Sequence, residues 1–137
     1  KSPSNLNKKK HMSFLTLFFI GAGGFIGAIL RSLSGFLFLK SPVFLGVPLA
    51  TLFVNIVGSF LIGVFLSSPY VLNRPELKGF LTAGIMGGLT TFSTFSFDNV
   101  TLISDKMWLY AALNITLNVI LGFCACFLGT LIPKLFN

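Results

Sequence analysis

Apolar residues gather into four long stretches along the chain, separated by short polar connections. The first runs Phe14–Leu39 and contains one charge, Arg31. The second, Pro48–Leu66, the third, Gly79–Phe97, and the fourth, Met107–Ile132, contain none. Each is about the 20 residues that a helix needs to cross a bilayer core. A helical pattern can extend the third as far as Ser104. The connections "KSPVFLGV", "SSPYVLNRPELK" and the stretch around "DNVTLISDK" carry the Pro, Asn and Asp of ordinary turns. None is long enough to be a soluble domain. The pattern predicts an all-α membrane protein of four transmembrane helices. A cleaved signal peptide accounts poorly for the first stretch, which exceeds the roughly 7–15 residues of a typical h-region and ends in no A-x-A-like site.

Composition strengthens this reading. Apolar residues make up 54% of the 137 and charged residues 9%, where a soluble domain carries about 25% charged residues. So little charge cannot cover a water-soluble globule. The net charge of +7 does not point to a nucleic-acid partner. Four of the ten basic residues, Lys1, Lys8, Lys9 and Lys10, precede the first stretch. The others lie mostly at helix ends, where snorkelling or lipid headgroups account for them.

Residues 1–11 are polar and lysine-rich and run into "HM". They read as a leader left by cloning behind a tag, the other reading being a native, disordered basic arm. The four-helix transmembrane domain is expected at 12–137. His11, the one histidine, falls outside that domain, which removes the usual proton shuttle and metal ligand. Cys124 and Cys126 lie mid-stretch on different faces and read as small apolar fillers.

Acids are few: Glu76, Asp98 and Asp105. None is central in an apolar stretch, where a proton-coupled exporter needs its carboxylate. No nucleophile–base pair or paired carboxylates occur, so an enzyme is not expected.

The remaining signal is uncharged. Thr51, Asn55 and Ser59 recur every four residues, as do Tyr110, Asn114 and Asn118, so each set forms a stripe on one helix face. In "GIMGGLTTFSTFSF", Phe92 and Phe95 share a face, with Ser93, Thr94 and Ser96 interleaved. Arg31 adds a cation. Taken singly, each Phe or hydroxyl is better explained by packing or by bonding to its own backbone. Two polar stripes beside a broken helix are harder to explain that way. The break is expected at Gly87-Gly88, followed by β-branched Thr90 and Thr91. Its freed carbonyls suit a small hard cation, and Thr91 is placed to cap the second half. Gly23 with Gly27, and Gly84 with Gly88, have the GxxxG spacing of closely packed membrane helices.

The motifs "GGFIGAILR", "PLATLFVNIVGSFLIG" and above all "GGLTTFSTFSFD" resemble those of the CrcB/Fluc fluoride channels, in order and spacing, from Met12 onward. The resemblance implies an antiparallel, dual-topology dimer with two fluoride pathways and a third helix broken near the membrane centre. It implies a multi-pass protein of the inner (plasma) membrane that lowers cytoplasmic fluoride by passive efflux. It places a structural sodium ion on the backbone carbonyls of Gly87 and Thr90. It assigns the pore asparagine to Asn55, the nearby hydroxyl to Ser93 and the projecting rings to Phe92 and Phe95. The fourth-helix track matches Tyr110, with Asn114 and Asn118 where many relatives carry Ser. Thr51, Thr94 and Arg31 join the expected pathway. Fluoride holds its water tightly, so a pathway needs donors, which amides, hydroxyls and electropositive ring edges supply. The runner-up readings are a small dimeric multidrug-type exporter and one structural half of a heterodimeric channel with a paralogous subunit.

Charge bears on topology. Four crossings place both termini and the second connection on one side, with Lys1, Lys8, Lys9, Lys10, Arg74, Lys78 and Lys134 against Lys40 and Lys106 opposite. Without the leader three basic residues face two. Such a balance lets a chain insert both ways, as an antiparallel homodimer requires.

Overall fold

A computed structural model describes residues 13–38 and 47–136. The leader, the end of the first stretch at Leu39, and Lys40 lie outside the described residues. Among those described there is no β-strand. Helix α1 spans Phe14–Phe38 and α2 Leu49–Ser67. Two short helices follow, α3 at Pro69–Leu72 and α4 at Pro75–Gly79, each with proline in its first turn. There the missing N–H costs no helical bond. The helix continues as a wide π-type segment, Phe80–Met86, and a last turn, α5, Gly87–Leu89. After an interruption come α6, Phe92–Ser104, and α7, Trp108–Leu131. Lys106, at φ 60°, makes the left-handed turn between them. The chain closes with a 3₁₀ turn, Ile132–Leu135.

Three of these segments, Phe14–Phe38, Leu49–Ser67 and Trp108–Leu135, are long and apolar enough to cross a membrane. Most of their large apolar side chains face outward: Phe14, Phe25, Phe36, Phe123 and Phe127 are all exposed. A protein with its apolar surface outside and asparagines within is built for lipid rather than water. It is an all-helical, multi-pass membrane protein.

Glycines decide the packing. Gly23 and Gly27 on α1 face the 80–89 run, where an added Cβ on Gly27 would collide with the Ile85 carbonyl oxygen. In return, a Cβ on Gly84 would lie 2.9 Å from the Gly23 Cα. Gly63 and Gly129 bring α2 and α7 together in the same way, against the carbonyls of Cys126 and Phe60. Without side chains the backbones approach to direct contact, the form of attraction that still operates where lipid removes the hydrophobic drive. Contacts advance in the same direction on both partners. Gly23 meets Gly84 and Gly27 meets Gly88, while Asn55, Ser59 and Gly63 meet Asn118, Gly122 and Cys126. Hence α1 runs parallel to the 80–89 run, and α2 parallel to α7.

The break differs from the expected one in position. Gly87 and Gly88 remain helical, Gly87 at φ −63°, ψ −35°. Gly88 is needed to pack on α1 rather than to end the helix. The interruption falls on Thr90 and Thr91, which are extended at φ −75°, ψ 154° and φ −148°, ψ 117°. β-Branched residues adopt this region readily.

Candidate functional site

Two captured amides create the break. In a continuous helix the Thr91 N–H would bond the Gly87 carbonyl and the Thr94 N–H would bond the Thr90 carbonyl. Instead Thr91 N–H donates to Asn55 Oδ1 at 2.9 Å, and Thr94 N–H to Thr91 Oγ1 at 3.1 Å. Both carbonyls thereby lose their helical donors. Asn55 Nδ2 also donates to the Thr91 carbonyl at 3.3 Å. The carboxamide thus holds both backbone groups of Thr91, as a neighbouring strand would. Thr91 is the N-cap of α6, as its hydroxyl foretold; the same Oγ1 donates to Thr94 Oγ1 at 3.0 Å and lies 3.3 Å from Ser93 Oγ. Arg31, half-buried on α1, donates Nη1 to the Thr90 carbonyl at 3.4 Å.

From Asn55 a chain of amides crosses the protein. Asn55 Nδ2 donates to Asn118 Oδ1 at 3.0 Å. Asn118 Nδ2 donates to both the carbonyl and Oδ1 of Asn114, at 3.0 and 2.9 Å. Asn114, 0% exposed, donates to Asn99 Oδ1 at 3.2 Å, and Asn99 to the Phe95 carbonyl at 2.7 Å. The chain begins at Thr91, the cap of α6, and ends at Phe95 in its first turn. Buried polar networks hold position well when every member is paired, and no buried side-chain nitrogen or oxygen here lacks a partner among the described residues. Asn114 and Asn118 are therefore linkers between α7 and its neighbours.

A cavity of about 430 Å³ opens beside the break. Asn55, Gly87, Thr90, Phe92, Phe95 and Asn118 line it together with the Thr91 cap, so half of the expected residues meet there. The two rings lie 5.7 Å apart at 43°, with Phe92 79% exposed. Arg31, Thr51, Ser93, Thr94, Tyr110 and Asn114 are not on its wall. Thr51, buried, donates instead to Asp98 Oδ2 at 2.8 Å, tying α2 to α6. Tyr110 lies on α7 one turn before Asn114, apart from the amide chain. Sequence reasoning missed Asn99, which it left in a connection. The signal was present, since Asn99 stands one helical turn after Phe95.

The Gly87 carbonyl, at the last turn of the helix, has lost its helical donor to Asn55. The Thr90 carbonyl accepts only from Arg31 among the described residues. Carbonyls freed at interrupted membrane helices are of the kind that holds sodium, so these two oxygens would be the ones to meet a small cation.

Comparison with known proteins identifies the family. The family described as CrcB-like protein, Camphor Resistance (CrcB), matches residues 18–130. A "Fluoride-specific ion channel FluC" of Campylobacter fetus subsp. fetus is 46% identical over 124 residues, covering 90% of this chain and 97% of its own. One of Elusimicrobium minutum is 44% identical over 119 residues, with 86% and 94% covered. One of Sulfurovum sp. is 43% identical over 116, with 84% and 90% covered. With this coverage on both sides, the chain belongs to the CrcB family of ion channels.

Proposed function

We propose that this protein is a fluoride-specific channel that lets the anion leave the cytoplasm down its electrochemical gradient. The observation that carries the reading is the break at Thr90–Thr91, with two freed carbonyls on one side and the capped N-terminus of α6 on the other. The positive end of a helix favours an anion, and unwound carbonyls favour a cation. The ring edges of Phe92 and Phe95 are weakly attractive to fluoride, weak enough for it to leave again. Asn55 and Asn118 belong to the pathway as the frame of its wall, and Ser93, Thr94 and Thr51 secure α6 around it. Tyr110, Asn114 and Arg31 act from behind that wall.

The functional unit is an antiparallel homodimer with two pathways in the inner (plasma) membrane. The parallel pairing of α1 with 80–89, and of α2 with α7, supports four crossings in alternation, the third being 75–104 with its break near the membrane centre. The 79% exposure of Phe92 supports a second copy over the α6 face. A sodium ion would be held by the carbonyls of Gly87 and Thr90 and would supply fixed positive charge at the dimer centre. Two carbonyls are too few for a cation's shell, so a second copy supplies more. Arg31 donates to the Thr90 carbonyl and so competes with a cation for that oxygen, its own positive charge standing beside the break.

Liposomes holding this chain alone, loaded with potassium fluoride, test the reading. Fluoride efflux on adding a potassium ionophore, with none in chloride-loaded controls, is the expected outcome. Silence in the homodimer, with efflux on adding a paralogous subunit, would establish a heterodimer. Proton-driven export of an organic cation would establish an exporter instead.

A further inference from the structure

Fluoride can enter a narrow pathway only where donors replace its water, so the uncommitted hydrogens on the cavity wall are decisive. Most are already engaged. Asn55 Nδ2 has its two hydrogens on the Thr91 carbonyl and Asn118. Asn118 Nδ2 has both on Asn114. The hydroxyls of Thr82 and Thr90 donate back to the carbonyls of Lys78 and Met86, and that of Thr91 donates to Thr94. Among the polar side chains lining this cavity, Ser59 alone has no bonded partner among the described residues.

Its position is equally specific. Ser59 stands one turn beyond Asn55 on α2, half-buried. A second cavity, about 310 Å³, lies along α7 and is lined by Ser59, Asn118 and Gly122 among others. Ser59, Asn118 and Val119 line both cavities, so Ser59 marks their junction. The Ser59 Oγ lies 3.5 Å from where a Cβ on Gly122 would stand, and the missing side chain leaves space in front of the hydroxyl.

We propose that the Ser59 hydroxyl is a specificity-determining contact of the pathway, donating directly to fluoride as the ion passes between the two cavities. This rests on the fluoride-channel reading above. A hydroxyl donating to a compact anion makes a short, charge-assisted bond. Chloride, larger and more weakly hydrated, gains less from the same donor.

The test uses the full chain in liposomes, with fluoride efflux measured over a range of internal concentrations. The parent chain is measured first; if it conducts no fluoride, either alone or with a paralogous subunit, the channel reading itself fails and this inference with it. If the parent conducts, S59A should slow efflux about 10-fold, the effect of losing one hydrogen bond to a charged group. It should also raise the half-saturating fluoride concentration and leave dimer assembly and thermal stability unchanged. S59T, which keeps the donor, should restore efflux. G122A places a methyl at ordinary contact distance from Ser59 Oγ, so it should fold yet slow efflux as well. Parent-like efflux in S59A, or equal slowing in S59A and S59T, would overturn the inference while leaving the channel intact.

Discussion

The two halves of the interrupted helix are held in different ways. The first, residues 75–89, lies along α1 through glycines, backbone against backbone. The second, α6, has Phe92, Phe97 and Val100 exposed and is held mainly by polar bonds. Thr51 reaches Asp98, Asn114 reaches Asn99, and Thr91 caps its first turn. A close-packed half is rigid because displacement loses many contacts at once. A half held by a few directed bonds can have its polar groups aimed, which an ion pathway needs. On the proposed reading, one half is the anchor and the other the working surface.

The comparison breaks most severely at the anchor. Gly27→Ala drives a Cβ into the Ile85 carbonyl oxygen, which is backbone and cannot rotate away. The expected cost is about 3 kcal/mol, with loss of monodisperse protein in detergent. Gly21→Ala on the same helix meets nothing within 4 Å and should assemble normally. Equal yields of the two would show that α1 and the 80–89 run are not in contact.

The next largest effect belongs to Asn55, where the halves are clasped. Asn55→Asp keeps the acceptor for Thr91 N–H but sets a carboxylate against the Thr91 carbonyl and Asn118 Oδ1, the present acceptors of Nδ2. Unmet acceptors cost about 2 kcal/mol, and a negative charge beside an anion path repels the ion. Fluoride efflux should vanish while the anchor half still folds. Normal efflux from a folded Asn55→Asp dimer would take Asn55 out of the site.

These two residues also mark what the sequence could and could not disclose. Glycine spacing on α1, the helix-long apolar stretches and the Thr91 cap are local patterns. Accordingly α2 at Leu49–Ser67 and α7 at Trp108–Leu131 lie within a residue of the windows read from hydropathy. The position of the break is not local. Gly87-Gly88 looked like the weak point because glycine lowers helix propensity, yet it is needed against α1, and the helix ends where Asn55 from another helix captures Thr91. The partnership of Thr51 with Asp98, and of Asn99 with Asn114, likewise depends on how helices meet. The wide π-type segment at Phe80–Met86 has no signal in hydrophobic spacing.

A smaller effect is expected on the working half itself. Phe92→Ile and Phe95→Ile keep bulk and apolarity but remove the ring quadrupole, an interaction of about 1 kcal/mol. Each should slow fluoride efflux by about fivefold and leave the dimer assembled. Parent-like efflux from both would reduce the rings to packing, and α6 would lose its claim to be the conducting surface.

The smallest change sharpens the comparison most, because it acts on the hydrogen bond that separates the halves. Thr91 Oγ1 holds the Thr94 N–H that the Thr90 carbonyl would otherwise accept. Thr91→Val has nearly the same shape and stays extended with ease, but it cannot accept that bond. The lost cap should cost about 1 kcal/mol, seen as a slightly lower melting temperature in detergent. Thr94 N–H is then free to turn toward the Thr90 carbonyl, closing one helical bond across the break and removing an oxygen from the proposed cation site. Stabilisation by added sodium should therefore weaken in Thr91→Val and persist in Thr91→Ser, which keeps the hydroxyl. If both variants respond to sodium like the parent, the Thr90 carbonyl is not a ligand. The break would then serve only to aim α6.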